Sequence, residues 1–149
     1  MPALALALLL AGCSTTPGSD CGPSSAIVER VIDGDTIVLT TGEKIRYLLI
    51  DAPETTNGHD DCYGSNAATF NSDLVLNKTV DLTYDSQCTD KYGRLLAYVS
   101  VDGRDVSQLM VERGFACVLF IPPDGQSRYD ELEMDQADAK AMNKGIWGS

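Results

Sequence analysis

Residues 26–51, AIVERVIDGDTIVLTTGEKIRYLLID, hold three runs rich in Val, Ile, Leu and Thr, separated by two short turns that each contain a glycine. Branched side chains suit a pleated, half-buried surface, and an Asp-Gly step between two such runs is a strong hairpin signal. The spacing predicts strands over 26–33, 36–41 and 44–51, joined as an antiparallel meander. What the run ends carry is unusual. Asp33 and Asp35 flank the first turn, Arg46 lies near the start of the third run, and Asp51 and Glu54 mark its exit. An ordinary rim of solvated ion pairs would explain these charges, and so would a site that holds a cation and a phosphate together.

Further along, ETTNGHDDCYG (54–64) is a polar loop and residues 65–77 form a predicted helix, with Ala67, Phe70, Leu74 and Val75 at helical spacing and Ser65 as its N-cap. Residues 79–85 alternate as a fourth strand, 86–94 make a turn-rich loop, and LLAYVSV (95–101) is a fifth strand. A short helix is expected over 105–114 with Gly114 as its cap, and a longer one from Ser127 to Gly145. The longer helix opens with Asp130, Glu131, Glu133 and Asp135 and ends with Lys140 and Lys144, which complements the helix dipole. These elements make a mainly β fold with α: a five-stranded OB-fold β-barrel capped by three helices, whose closure removes exposed strand edges.

The domain itself runs over 26–149, with no internal repeat. Residues 1–12 read as a lipoprotein signal peptide, since MPALALALLL is apolar and too short to span a bilayer, and Leu10-Ala11-Gly12-Cys13 resembles a lipobox. No Lys or Arg precedes the apolar run, so a start upstream of Met1 is in keeping with the pattern. Residues 13–25 then comprise the lipidated Cys13 and a flexible Ser/Thr/Pro/Gly tether. The expected location is exported and lipid-anchored to the bacterial cell envelope, with Ser14 after the lipidated cysteine favouring the outer membrane.

Cys21, Cys62, Cys88 and Cys117 in an exported chain suggest two disulfides, for which three pairings are open. No C-x-x-C pair occurs and His59 is the only histidine, so a structural zinc site has too few ligands. The net charge of −11, from 11 basic and 22 acidic residues, opposes binding to nucleic acid, which relies on Lys and Arg displacing counterions. Screening within about 8 Å at physiological salt still lets a local basic patch act.

Phosphodiester hydrolysis needs fixed positive groups around the phosphorus, a hard cation on carboxylate oxygens, and a carboxylate for the attacking water. Arginine suits the phosphate because its planar fork binds two oxygens and stays charged. VIDGDT, RYLLIDAPET, CYGSNAATF, DKYGRLLAYV and the closing NKGIW supply these parts in order, and together they resemble the staphylococcal nuclease (thermonuclease) family from about Ile27 to Trp147.

That resemblance implies a Ca²⁺-dependent endonuclease that cleaves DNA and RNA to a 5′-hydroxyl and a 3′-phosphate, acting as a monomer. It implies Asp35 and Asp51 as carboxylate ligands of Ca²⁺, Ala52 as a carbonyl ligand, and Asp33 as an outer-shell acidic residue. Glu54 would position or deprotonate the water, Arg46 and Arg94 would grip the scissile phosphate, and Lys91 and Tyr92 would meet the nucleotide's terminal phosphate. Phe120 falls where the family stacks a tyrosine on the nucleotide, and Pro122 where a phenol is lost. Asp60 and Asp61 stand where a relative has lysines, so weaker and more salt-sensitive binding is expected. The resemblance also puts Cys21 near Cys117 and Cys62 near Cys88. The rival readings are a non-catalytic OB-fold module that binds single strands and a calcium-stabilised structural envelope lipoprotein.

Overall fold

The computed structural model describes residues 20–55 and 63–148. Its strands are β1 (Ser25–Asp33), β2 (Thr36–Leu39), β3 (Lys44–Tyr47), β4 (Ile50–Asp51), β5 (Thr79–Thr83), β6 (Leu95–Val101), β7 (Arg104–Asp105) and β8 (Cys117–Val118). Antiparallel pairing links β3 to β2, β2 to β1, β1 to β5 and β5 to β6, and β6 then runs parallel to β3. That last pairing closes the ring into the expected five-stranded barrel. Val28, Ile37, Leu39, Ile45, Tyr47, Val80 and Val99 fill it, all essentially inaccessible to solvent.

The helices are α1 (Gly64–Val75), α2 (Val106–Glu112) and α3 (Tyr129–Ala141), with a 3₁₀ turn at Gly145–Trp147. Ser65 is not the cap of α1; Tyr63 takes that place in a left-handed conformation with φ 69°. Asp105 caps α2 by accepting a bond from the Gln108 amide at 2.9 Å. Gly114 follows α2 with φ +74°, and a Cβ there would lie 2.2 Å from the Lys144 carbonyl oxygen. Glycine is needed both for the turn and for this close approach.

The third strand-like run does not stay one strand. It breaks after Tyr47, and Leu49 adopts φ 68°, turning the chain so that β4 leaves the barrel and pairs with β8. A left-handed leucine costs roughly 1–2 kcal/mol. Burial of Leu49 offsets this, since a buried leucine is worth about 1.5–3 kcal/mol, and its carbonyl accepts the Leu119 amide at 2.7 Å.

The cysteine pairing also differs from expectation. Cys21 bonds Cys88, with Cα atoms 5.0 Å apart, which excludes both Cys21–Cys117 and Cys62–Cys88. The sheet register explains it: Ser25 pairs with Asp81, so the chain just before β1 runs alongside the segment just after β5. Cys117 sits instead in β8 opposite Asp51 as a half-buried free thiol. Cys62 lies outside the described residues, as do His59, Asp60, Asp61, the signal-like segment 1–12 and Cys13. Among the described residues no helix is long and apolar enough to cross a membrane.

Candidate active site

The site grows from the Asp33-Gly34-Asp35 turn between β1 and β2. Gly34 is buried, and a Cβ on it would come within 2.6 Å of Ala52 Cβ and 2.9 Å of Ala67 Cβ. Only glycine lets the turn sink against β4 and α1, and that depth puts Asp35 at the exit of β4. Asp35 is 4% exposed; its Oδ2 accepts the Ala52 amide at 2.8 Å and its Oδ1 accepts the Thr36 hydroxyl at 2.9 Å.

Arg46 occupies the centre. Its Nη2 lies 3.3 Å from Asp35 Oδ2 and 3.2 Å from Asp51 Oδ1, so both carboxylates converge on one nitrogen. Its Nη1 donates to the carbonyls of Tyr47 at 2.8 Å and Ile50 at 2.7 Å. The left-handed Leu49 turns the Ile50 carbonyl back toward this guanidinium. Asp51 presents its side chain 61% exposed, in contrast to the buried Asp35.

Asp33 stands behind the pair. Its Oδ1 accepts the Asp35 amide at 3.1 Å, and burial together with the Asp35 charge pushes its pKa up to about 7. Its carbonyl accepts from Asn71, whose own amide oxygen accepts the Tyr47 hydroxyl. Asp33 thus orients the turn, through its carboxylate on the Asp35 amide and its carbonyl on Asn71.

Arg46 and Arg94 face a common cleft of about 400 Å³, walled by 87–94 on one side and by Leu119, Ile121 and Asp124 on the other. Arg94 Nε donates to Asp90 at 2.7 Å. Burial of Asp90 opposes ionisation, but this bond and those from the Arg94 and Tyr92 amides hold its carboxyl below the usual range. Lys91 also lines the cleft, with its ammonium 5.1 Å from the centre of the exposed Tyr92 ring. Glu54 is exposed just beyond β4, and its carbonyl packs against Gly64 at the start of α1.

Phe120 does not line the cleft. Its ring packs on Tyr129 at 4.9 Å, and its neighbours Leu119 and Ile121 line the cleft in its place. Gln87 and Asp124 also line it, and sequence reasoning missed both. Asp124 is 4% exposed and accepts the Gln87 amide at 3.0 Å. The Pro122-Pro123-Asp124-Gly125 turn was the only signal for it.

The donor set fits a hard cation sharing its shell with water and substrate. Asp35 and Asp51 offer carboxylate oxygens that converge where Arg46 Nη2 now sits, and Ala52 adjoins them, its amide donating to Asp35. Among the described residues no group of three or more Asp, Glu, His or Cys side chains forms a cage by itself.

The sequence profile of the staphylococcal nuclease homologues matches residues 44–149. The chain is 40% identical over 126 residues to Endonuclease YncB of Bacillus subtilis, covering 80% of this chain and 60% of that protein. It is 38% identical to the SPbeta prophage-derived endonuclease YokF of the same organism over 126 residues, 80% of this chain and 43% of the relative. The thermonuclease of Staphylococcus intermedius is 34% identical over 134 residues, covering 87% of this chain and 79% of the relative. The chain thus spans 60% and 43% of the two Bacillus relatives, respectively, but most of the staphylococcal one. A closed five-stranded barrel with two acids and an arginine converging beside a cleft, and this span of similarity, place the chain in the family of staphylococcal nuclease homologues.

Proposed function

We propose that this chain is a Ca²⁺-dependent nuclease that hydrolyses phosphodiester bonds of DNA and RNA, leaving a 5′-hydroxyl and a 3′-phosphate. The observation that carries the reading is the meeting of Arg46 with Asp35 and Asp51 at the mouth of a cleft that Arg94 also lines. A cation held by Asp35, Asp51 and the Ala52 carbonyl would neutralise charge on a phosphate oxygen and lower the pKa of a bound water. Arg46 and Arg94 orient the phosphate by paired N–H contacts and stabilise the charge that builds on its equatorial oxygens. Glu54, beyond β4, takes the proton of the attacking water. Lys91 and Tyr92 hold a neighbouring phosphate at the open wall of the cleft. A strand that can leave its duplex fits this narrow site best, so flexible and single-stranded stretches are the preferred substrates.

The net charge of −11 favours a second reading, a barrel that binds single strands without cutting them. One assay separates the two. Cleavage of single-stranded DNA and RNA with Ca²⁺, and none with chelator, supports the enzyme; binding without cleavage under both conditions supports the module; neither leaves the structural lipoprotein. Export as a lipoprotein anchored through Cys13 rests on the lipobox-like motif alone, and globomycin-sensitive processing of the full chain in cells tests it.

A further inference from the structure

The segment Cys21–Ser24 crosses the foot of the loop that carries the cleft's cations. Gly22 lies so close over Leu95 and Tyr84 that a Cβ on it would be 2.8 Å from each. Tyr84 donates its hydroxyl to the Pro23 carbonyl at 2.7 Å, and Leu82 donates its amide to Ser24 at 2.9 Å. Cys21 then bonds Cys88, and the residues on either side of Cys88, Gln87 and Thr89, both line the cleft.

Between β5 and β6 the loop has little regular structure of its own. Its order comes from a few ties: the Leu96 amide to the Cys88 carbonyl, one bridge between Thr89 and Leu95, and the Asp90 carboxylate gathering the amides of Tyr92 and Arg94. Two reciprocal bonds tie it to the opposite wall: Gly125 donates to Asp85 at 2.9 Å, and Gln87 donates to Asp124 at 3.0 Å. All of these are hydrogen bonds or a β-bridge. The covalent tie enters at Cys88, between the latch to the far wall and the turn that bears Lys91, Tyr92 and Arg94.

We propose that the Cys21–Cys88 crosslink is a positioning element of the substrate site, strapping the start of the domain to the cation-bearing loop so that Arg94 and Lys91 stand ready for the phosphates. Cys21 and Cys88 touch no substrate; they act through Arg94 and Lys91. The metal-bearing side of the site is built on the β1–β2 turn and β4, which the crosslink does not reach. Opening the bond therefore weakens both capture of the strand and the Arg94 grip on the scissile phosphate, and leaves the Asp35–Asp51 side of the site as it is. This rests on the nuclease reading above, and it makes substrate affinity sensitive to reductants such as dithiols.

The test compares wild type, the Cys21→Ala/Cys88→Ala double variant and Val28→Ala, a core variant outside every tie that holds the loop. Each is assayed on a single-stranded DNA oligonucleotide at a temperature where circular dichroism finds it fully folded. The double variant should lower kcat/KM by at least about five-fold, while Val28→Ala leaves kcat/KM unchanged. Hydrogen exchange at the Tyr92, Gly93, Arg94 and Leu96 amides should speed by at least about ten-fold relative to the β2 amides. Should the double variant not fold, oxidised wild type reduced with a dithiol replaces it. An unchanged kcat/KM in the folded variant overturns the proposal. So does reduction that unfolds the whole protein with no folded, weakly binding stage. If wild type cuts nothing, the nuclease reading fails; the exchange rates still decide whether the crosslink orders the loop.

Discussion

Replacing Arg46 with lysine separates the grip on phosphate from the hold on the fold. The arginine side chain is 13% exposed, and its two terminal nitrogens serve four partners: two carbonyls at 2.8 and 2.7 Å and two carboxylates at 3.3 and 3.2 Å. A lysine ammonium keeps its attraction for Asp35 and Asp51 but lacks the fork that reaches both carbonyls at once. Losing about one charge-assisted bond costs roughly 1–2 kcal/mol, which lowers Tm by about 4–8 °C in a domain of this size. Turnover should suffer more. Loss of one preorganised donor to the developing charge costs about 3–4 kcal/mol, or about 10²–10³ in kcat. Steady-state kinetics on single-stranded DNA with Ca²⁺, run beside thermal melts, gives both numbers. A variant within about ten-fold of wild-type kcat would refute the phosphate role and leave Arg46 as a clamp on the Leu48–Asp51 turn.

Gly34→Ala forces a methyl into contact with Ala52 and Ala67, so overpacking should destabilise by about 1–3 kcal/mol and depress turnover by tilting Asp35; melts and kinetics read both. Asp85, held below the usual carboxylate range by the Gly125 amide and the Tyr98 hydroxyl despite partial burial, contributes stability above the unfolded carboxylate pKa that is lost as pH falls through its lower folded value. Asp85→Asn should therefore flatten the acid limb of Tm against pH between about 5 and 2, and an unchanged limb would contradict this. With Arg46, Lys91 and Arg94 as the cations lining the cleft, about three phosphates are neutralised, and log KM for single strands should rise with log salt at a slope of about 2. A slope near zero, or one several-fold steeper, would show that other surfaces carry the binding.

The barrel was readable because alternating branched residues and glycine turns act over a few residues, and each strand declares its own period. The break at Leu48-Leu49 was not, since neither residue favours a left-handed turn and only tertiary burial sustains it. That Arg46, Asp35 and Asp51 meet was legible because they lie at the ends of neighbouring strands in the meander. That Phe120 packs on Tyr129 while Leu119 and Ile121 line the cleft was not legible, because the chain after β8 has no period to say which residues face it. The disulfide was misassigned because pairing depends on register: β1 against β5 brings Cys21 to Cys88, whereas Cys117 is drawn away into pairing with Asp51.

The most direct measurement is calorimetric titration of a nucleoside bisphosphate into the protein with Ca²⁺ and with chelator. If cation and phosphate share one site, each must tighten the other by the same factor. The expected result is at least about five-fold tighter nucleotide binding in Ca²⁺, with that gain abolished in Asp51→Asn. Equal affinity with and without the cation, in a protein that binds both, would contradict a joint grip by Arg46, Asp35 and Asp51.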